Sequence, residues 1–561
     1  MRANTLFDFL NRCSLDYAAR ECLAYGETRL TFGYFAKVVD RLALALAELG
    51  LKNGNRMALM LPNLPQFPIA YYALLKLGVW VVPINVLFKE NDIRHVLADS
   101  GVDGFIAWEG FSHHLLPPAA ELKHCRLQIF LGEKIPPGAI NLTHMIAASM
   151  QRFERLGIEH KINAAPDEPA LILYTAGATG APHGAVFSHR SLAAAISACW
   201  KNFAVRVDDR FLAVSPLFHS FGQMLAMNLP LAAGAQTVLL SRFDPQAIVE
   251  TVAREKITHF VGVPSMFSAL LRLAPEPERL STLKCCLVSG AMLPAQIRQS
   301  FEARYHVPIY EGYGLAECCP LVTTFSAWVP RVEENACSVG LPITGVEVAI
   351  WDAERRHVPE EKIGAIFVRG PWTMQGYLDA GQISQNVFEN GWLDTGDLGM
   401  MDRQGFLYLV DRRADVILKA GFPVYPSEVE AVLAQHPKIE ECAVVGVPDR
   451  LHGEEVKAYV VLRPKQFATK EEIVEFCKAS LALYKCPRHV EFCESLPHSV
   501  TGKVLKRLLR EKKPAPVVAT ETPPAAEADT SQVEATAAET AATTTVDNTQ
   551  IEKTVEEVQS G

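Results

Sequence analysis

The sequence predicts an α/β protein: a large N-terminal domain of helices on mainly parallel sheets, followed by a small α+β domain. Three observations predict it. Helix and strand patterns alternate through most of the first 340 residues, as they do where helices connect parallel strands. After Gly340 short strands and turns replace that alternation. Residues 514–561 are rich in Ala, Thr, Glu and Pro, and such a segment has too few large apolar side chains to fold.

The elements of the first half follow from the spacing of apolar residues. A helix is predicted where they recur every three to four positions, and a strand where a short apolar run stands between turn residues. These criteria place helices at 35–49 and 67–77, and strands at 57–61, 79–83, 171–174, 258–263 and 285–288. The most apolar stretch, 69–88, is interrupted by Lys76, Gly78 and Pro83, so it predicts a buried helix and a strand, not a membrane span.

The second half is predicted to contain shorter strands, at 346–351, 365–369, 406–410 and 416–419. Two helices follow, at 427–435 and 470–483. The segment from about 415 to 510 therefore forms an α+β unit of its own.

Composition limits the class of protein. Of 561 residues, 49% are hydrophobic and 21% are charged, with a net charge of −9. Nine acidic residues and one lysine lie in 514–561, so the rest of the chain is near neutral and lacks the basic surface that a nucleic-acid partner would need. The 13 cysteines contain no CxxC motif, and the N-terminus has no apolar signal segment, so a reducing, cytoplasmic location is predicted.

A loop of small residues follows the apolar run at 171–174. It contains Gly177, Gly180 and Gly184, with hydroxyl groups at Thr175 and Thr179. Glycines let backbone amides approach an anion, and we expect a helix to follow whose N-terminus favours negative charge. The pattern predicts a phosphate-binding loop, although a simple turn is the alternative and the GxxxxGK[ST] motif is missing.

Further motifs follow this loop in a fixed order. They are Pro216-Leu-Phe-His219, Gly262-Val-Pro264, Ser289-Gly-Ala-Met292, Tyr310-Glu-Gly-Tyr-Gly-Leu-Ala-Glu317, Gly364-Ala-Ile-Phe-Val-Arg-Gly370, Gly391-Trp-Leu-Asp-Thr-Gly-Asp397, Val410-Asp-Arg412 and Ser499-Val-Thr-Gly-Lys503. Together they resemble the adenylate-forming superfamily of acyl-CoA synthetases, luciferases and nonribosomal adenylation domains. The likeness extends from residue 5 to about residue 510.

The resemblance implies a domain organisation and a reaction. A large domain at 1–411, which includes a distorted β-barrel, would bind ATP and the acid. A hinge at 412–415, a small mobile domain at 416–510 and an unstructured tail at 511–561 would follow. A carboxylate would attack the α-phosphate of ATP with Mg²⁺ present, which would expel pyrophosphate and leave an acyl-adenylate. The thiol of coenzyme A would then displace AMP from that adenylate.

The resemblance also assigns roles to residues. ATP and AMP binding is assigned to Thr175, Gly177, Thr179, Gly180, His183, Gly184, Gly290, Ala291, Glu311, Gly312, Tyr313, Gly314, Ala316, Asp397 and Arg412. Within this set Tyr313 would stack on or flank the adenine, and Asp397 would accept hydrogen bonds from both ribose hydroxyls. Glu317, with Thr175, would bind Mg²⁺.

Two residues are expected to act on the reacting groups. Lys503 would bridge the acid and the α-phosphate during adenylation, and His219 would lie near the acyl carboxylate. After rotation at the hinge, Lys419 and Gly421 would face coenzyme A.

Structural explanations stay open beside these roles. Glu317 is alternatively a surface glutamate and His219 a core histidine. Lys503 is alternatively one more exposed lysine, and Arg412 is alternatively paired with an adjacent aspartate at 411 or 415.

The chain departs from the family pattern at five positions, of which three lie in the phosphate loop. Ala176 and Ala178 replace hydroxyl residues, His183 replaces a lysine, Ala316 replaces a threonine, and Ala414 replaces a charged hinge residue. Because a hydrogen bond to a charged group contributes about 1.5–3 kcal/mol, we expect slower adenylation. Protonated His183 would substitute in part for the lysine.

The residues after His219 are uncharged, which disfavours an amino-acid substrate and favours a medium- or long-chain fatty acid. An aryl or alicyclic acid is the alternative, and a non-catalytic nucleotide- or acyl-binding protein is another. A light-emitting monooxygenase would be a third. Peripheral membrane contact and a homodimer stay open.

Overall fold

Residues 4–156, 164–175, 182–378, 387–498 and 503–511 are described by the computed structural model. They divide into two units. The first comprises residues 4–416 with 498 and 503, and the second comprises 417–497 with 504–511. The division after Val416 lies next to the predicted hinge at 412–415.

The helices of the first unit are α1 (Leu6–Asp16), α2 (Phe32–Glu48), α3 (Gln66–Lys76), α4 (Glu90–Ser100), α5 (Ser112–Ala120), α6 (Leu142–Leu156), α7 (His189–Phe203), α8 (Leu229–Ala233), α9 (Pro245–Glu255), α10 (Pro264–Leu273) and α11 (Ala295–Tyr305). Those of the second unit are α12 (Pro426–Leu433), α13 (Lys470–Lys478) and α14 (Lys506–Glu511). A π-helical segment, Gly222–Asn228, precedes α8.

The strands of the first unit are β1 (Glu21–Tyr25), β2 (Thr28–Thr31), β3 (Arg56–Met60), β4 (Trp80–Pro83), β5 (Gly104–Trp108), β6 (Leu127–Leu131), β7 (Ile140–Asn141), β8 (Pro169–Thr175), β9 (His183–Ser188), β10 (Arg210–Ala213), β11 (Gln236–Leu239), β12 (His259–Gly262), β13 (Cys285–Val288), β14 (Ile309–Tyr313), β15 (Thr323–Thr324), β16 (Leu341–Pro342), β17 (Glu347–Trp351), β18 (Gly364–Arg369), β19 (Gly376–Tyr377), β20 (Phe388–Glu389), β21 (Trp392–Met401) and β22 (Leu407–Arg412). The second unit contains β23 (Ile417–Lys419), β24 (Phe422–Val424), β25 (Ile439–Asp449), β26 (Gly453–Leu462) and β27 (His489–Phe492).

Two large sheets form the α/β part of the first unit. The first has the order β16-β15-β14-β13-β12-β10-β11-β1-β2, and its central strands from β14 to β1 are parallel. The second has the order β19-β9-β8-β4-β3-β5-β6-β7 and is parallel from β8 to β7. The predicted parallel α/β architecture is confirmed.

Antiparallel pairing dominates the remaining sheets. Strands β17, β18, β21, β20 and β22 form a third sheet near the C-terminal end of the first unit. The second unit is built on β24-β23-β26-β25 with β27 beside β26, covered by α12 and α13. The predicted α+β character of this unit is therefore confirmed.

Capping side chains fix where the first helices begin. The Thr5 hydroxyl accepts a hydrogen bond from the Asp8 amide, and the Asp8 carboxylate accepts one from the Thr5 amide, which starts α1. The Thr31 hydroxyl accepts from the Tyr34 amide and starts α2. Each such cap contributes about 1 kcal/mol to stability. Helix α2 packs on α3, which is buried along its whole length as the apolar stretch at 69–88 predicted.

The helix predicted at 470–483 is shorter than expected. Helix α13 ends at Lys478, because the amides of Ser480 and Leu481 both donate to the carbonyl of Cys477 and close the last turn. Apolar residues after this point belong to a short 3-10 turn, Leu483–Lys485. The apolar spacing of the sequence continues beyond Lys478, so the C-terminal end of the helix was predicted too far along the chain.

Two further observations concern the pairing of the cysteines and the length of the helices. The thirteen cysteines all lie among the described residues and none forms a disulfide there. Within the described ranges, no helix has the length and apolarity needed to cross a membrane.

Candidate active site

Four neighbouring parallel strands of the first sheet, β14, β13, β12 and β10, end at one edge. Ligands of open α/β sheets bind at the carboxyl ends of the strands. Several of the predicted residues lie on or just after these strands, namely Gly290, Ala291, Gly312, Tyr313, Gly314 and His219. Gly314 allows a close approach here, because a Cβ at this position would lie 2.0 Å from the carbonyl oxygen of Pro320.

The predicted phosphate loop connects two antiparallel strands. Strand β9 follows it and pairs with β8, and Thr175 stands opposite His183 in the register. The expectation that a helix follows the loop is wrong, because α7 begins only at His189. Strand β9, which also contains Gly184, is almost wholly buried, and a buried strand lacks the polar–apolar alternation that marks strands in a sequence. The predicted site residues Gly177, Thr179 and Gly180, with the substituted Ala176 and Ala178, lie outside the described residues.

Asp397 joins two other predicted nucleotide-binding residues. The Tyr313 hydroxyl donates to Asp397 Oδ2 at 2.7 Å, and Arg412 Nε lies 3.3 Å from Asp397 Oδ1. Burial, and then the charge of Asp397, raise the pKa of Tyr313 well above its usual value, so the phenol stays protonated as a donor. Each carboxylate oxygen accepts about two hydrogen bonds, which leaves one position on each oxygen for a diol.

The Arg412 side chain is thus paired with Asp397, and its backbone amide donates to Asp411 Oδ1 at 2.8 Å. The adjacent Arg413 forms an ion pair with Asp394, in which Nη2 lies 2.8 Å from Oδ2. Asp394 also accepts from the Gly396 amide at 2.9 Å and shapes the turn before Asp397.

Glu317 is held by a residue that the sequence did not single out. The Tyr377 hydroxyl donates to Glu317 Oε1 at 2.7 Å, and Thr175 lies close to the same phenol. Ala316 and Glu317 lie in a 3-10 turn directly after β14. A carboxylate and a hydroxyl, both oxygen ligands, are thus brought together, which fits the ligand preference of Mg²⁺.

Glu311 has a different environment from the one that its motif implies. Its carboxylate is buried and accepts from the Leu293 amide at 3.0 Å and from Arg331 at 3.1 Å. Arg331 also lies over the Phe325 ring, 3.9 Å from its centroid. The Glu311 side chain therefore braces the end of β14 beside Tyr313, and its backbone carbonyl accepts from the Phe325 amide.

His219 follows β10 and is only partly exposed. Burial lowers the pKa of its imidazole to about 4, so the ring is neutral near pH 7. The Phe221 amide donates to His219 Nδ1 at 3.3 Å. Because Nδ1 accepts, the proton lies on Nε2, which can donate to an anionic group.

A small cavity of about 10 Å³ lies beside the His219 ring. Its walls are uncharged near pH 7, because they consist of the neutral His219 with Ser215, Pro216, Phe221, Gly222, Val263, Met266 and Gly290. The volume is that of a single water molecule, so any larger group that binds here must displace these side chains.

Three predicted site residues, Lys419, Gly421 and Lys503, lie C-terminal to the predicted hinge. Lys419 Nζ lies 2.5 Å from the buried carboxylate of Glu455. Gly421 follows Ala420 in the two-residue turn between β23 and β24, where both residues have positive φ, 51° and 82°, as a type I′ hairpin turn requires. Lys503 is exposed and precedes α14.

His189, which is fully buried, makes the stability of the fold depend on pH. Neither ring nitrogen of His189 has a hydrogen-bond partner among the described residues, and burial lowers its pKa to about 4. In the unfolded chain a histidine titrates near 6.5. Between these values the unfolded chain binds more protons, so the free energy of unfolding falls as the pH drops from 6.5 to 4, by up to about 1.4 kcal/mol per unit.

Urea unfolding of the wild type and of His189→Gln at pH 7.5, 6.0 and 5.0 measures this effect. We expect the wild type to lose stability relative to the variant as the pH falls. A constant difference between the two proteins at all three pH values would contradict the assignment.

The chain is similar to known proteins along most of its length. A profile of the AMP-binding enzyme family matches residues 11–378, and one of the AMP-binding enzyme C-terminal domain matches residues 428–503. A long-chain-fatty-acid–CoA ligase of Bacillus subtilis (strain 168) is 33% identical over 540 residues, which cover 91% of this chain and 94% of that protein.

Solved structures give the same result. ATP-bound MatB from Rhodopseudomonas palustris has a TM-score of 0.84 and 26% identity, over 91% of this chain and 98% of that one. The anthranilate CoA ligase AuaEII in complex with anthranoyl-AMP has a TM-score of 0.81 and 26% identity, over 90% and 96% of the two chains.

Proposed function

The chain belongs to the AMP-binding enzymes and is an AMP-forming acyl-CoA ligase, and from this premise we propose that its acid substrate is a medium- or long-chain fatty acid. ATP and coenzyme A are its other substrates. A cytoplasmic location, contact with a membrane surface and a homodimer stay predictions from the sequence.

The observation that carries the proposal is the uncharged wall beside His219. Val263, Met266 and Phe221 offer apolar contacts, and no carboxylate among the lining residues could bind the ammonium group of an amino acid. An alkyl chain gains about 0.8 kcal/mol for each CH₂ group that it buries. This chemistry favours a pose in which the carboxylate of the acid lies next to Nε2 of His219 and the alkyl chain of the acid lies among these side chains.

The nucleotide is assigned to the cluster around Asp397. Tyr313 and Arg412 hold that carboxylate, and its two free acceptor positions match the two hydroxyls of ribose. Bound Mg²⁺ would be held by Glu317 and Thr175 and would neutralise phosphate charge. The negative charge on the acid and on the α-phosphate opposes their approach, and the ammonium of Lys503 is assigned to offset it.

His219 is proposed to orient the acid without transferring a proton. Its neutral ring donates one hydrogen bond from Nε2, and the low pKa keeps that state constant between pH 6 and 9. For the second half-reaction, the turn at Gly421 is the segment proposed to face coenzyme A. Lys419, paired with Glu455, would support that turn.

A panel of carboxylates tests the substrate assignment. The purified protein is mixed with ATP, Mg²⁺, coenzyme A and one acid, and AMP release is measured for butyrate, octanoate, palmitate, benzoate and cyclohexanecarboxylate. We expect the largest kcat/KM with octanoate or palmitate. A preference for benzoate would instead support an aryl-acid ligase, the second candidate, which the likeness to the anthranilate CoA ligase favours.

The substituted phosphate loop leads to a separate prediction. Lysine is charged at all pH values of interest, whereas imidazole is charged only when protonated. His183→Lys should therefore keep the rate of ATP–pyrophosphate exchange or raise it by up to about tenfold, the effect of about 1.4 kcal/mol. His183→Gln, which cannot carry a charge, should lower the rate. A collapse of exchange in His183→Lys would show that the imidazole has another role.

A further inference from the structure

We propose that Tyr377 is a positioning residue of the metal–phosphate site, which holds the Glu317 carboxylate near the Thr175 hydroxyl, with the second carboxylate oxygen directed to a bound cation. The inference rests on the proposed role of these two residues as metal ligands. It adds a residue that no sequence motif identified.

The backbone around Tyr377 connects the two halves of this site. Strand β19 pairs with β9 so that Tyr377 stands opposite Ala185, and the Leu378 amide donates to the Gly184 carbonyl at 2.8 Å. Three residues earlier, the Met374 amide donates to the Glu317 carbonyl at 2.8 Å. One short segment is thus bonded both to the hairpin of the phosphate loop and to the turn that carries Glu317.

The register of the sheet explains which side chains meet. Directly opposed residues of antiparallel strands project on the same face, and alternate residues along a strand do so too. Thr175, His183 and Tyr377 therefore share one face of the sheet. The centroids of the His183 and Tyr377 rings are 5.5 Å apart, whereas Tyr174 projects on the opposite face.

The hydrogen bond of the phenol has a fixed direction. The Tyr377 hydroxyl has one proton, which it donates to Glu317 Oε1 at 2.7 Å. Thr175 lies close to the same phenol and on the same face of the sheet.

This direction has a consequence for metal binding. Thr175, close to the same phenol, adds a hydroxyl oxygen to this part of the site. Glu317 has one oxygen engaged with the phenol, and its second oxygen is the one available to a cation. A residue that orients metal ligands in this way typically changes metal affinity by about 10- to 100-fold when removed.

The test is Tyr377→Phe, which removes the hydroxyl and keeps the ring beside His183. Mn²⁺ binding is followed by electron paramagnetic resonance in the presence of a non-hydrolysable ATP analogue, and binding of the analogue without metal is measured by calorimetry. We expect Mn²⁺ affinity to fall by about 10- to 100-fold, while metal-free binding of the analogue changes by less than about threefold.

Tyr174→Phe is the matched control. It removes a tyrosine–carboxylate hydrogen bond from the same hairpin, 2.6 Å to Asp99, on the face that does not meet Glu317. It should leave Mn²⁺ affinity unchanged, and thermal unfolding of both variants shows whether each is folded.

A third variant separates this inference from the function on which it rests. If Glu317→Gln weakens Mn²⁺ binding and Tyr377→Phe does not, the positioning role is overturned and the metal site stands. If Glu317→Gln has no effect, the assignment of the metal site itself fails. Equal losses in Tyr377→Phe and Tyr174→Phe would also overturn the inference, because they would reflect only the stability of the hairpin.

Discussion

Lys503→Ala is expected to lower the rate of acyl-adenylate formation by about 10²- to 10³-fold. One positioned cation or donor that stabilises charge in a transition state typically contributes a factor of this size. The acid and the α-phosphate are both anionic, and no other residue was assigned to lie between them. ATP–pyrophosphate exchange with octanoate, without coenzyme A, measures this step alone.

The second half-reaction serves as the internal control. Synthetic octanoyl-adenylate and coenzyme A should give octanoyl-CoA at nearly the wild-type rate in Lys503→Ala, since the lysine is assigned to adenylation only. Lys506→Ala is the matched variant, because Lys506 lies three residues further on and pairs with Glu430 at 2.8 Å. It should change exchange by less than about twofold. Full exchange activity in Lys503→Ala would contradict the assigned role.

Asp397→Ala is expected to lower kcat/KM for ATP by about 10²- to 10³-fold. Two hydrogen bonds from ribose hydroxyls to the carboxylate, each of about 1.5–3 kcal/mol, would be lost, and water would replace part of them. The same change leaves the buried Tyr313 hydroxyl without its acceptor. AMP release at varied ATP concentration gives the constants.

Comparison of ATP with 2′-deoxy-ATP identifies the cause of the loss. The wild type should prefer ATP by at least about tenfold, the effect of one such hydrogen bond, and Asp397→Ala should show almost no preference. Asp394→Asn is the control from the same strand, because Asp394 pairs with Arg413 and the Gly396 amide. If Asp397→Ala kept the wild-type preference for ATP, the carboxylate would not contact the ribose.

Local patterns in the sequence predicted much of the fold. The strand at Cys285–Val288 was predicted to the residue, and the apolar stretch at 69–88 became α3 and β4, as expected. In both cases the signal is short-range and lies within the segment itself. The strand β9 was missed because Gly184 to Phe187 are all buried and so show no alternation.

The site was predicted only where a motif marks it. Asp397 and Tyr313 were identified separately, but their hydrogen bond joins positions 84 residues apart, and no spacing in the sequence encodes such a contact. Tyr377 was missed for the same reason, because its partners lie on β8 and in the turn after β14. Glu311 was identified with its motif, yet its carboxylate is engaged by Arg331, which only the tertiary structure reveals.

We propose that this chain activates a fatty acid as its adenylate, and exchange of labelled pyrophosphate into ATP tests that step directly. The wild type is incubated with octanoate or palmitate, ATP, Mg²⁺ and labelled pyrophosphate without coenzyme A, and the label that enters ATP is followed. We expect exchange that requires the acid, is strongest with these aliphatic acids and stops when coenzyme A consumes the adenylate. If no fatty acid supports exchange although ATP still binds, the proposed activation of a fatty acid is contradicted.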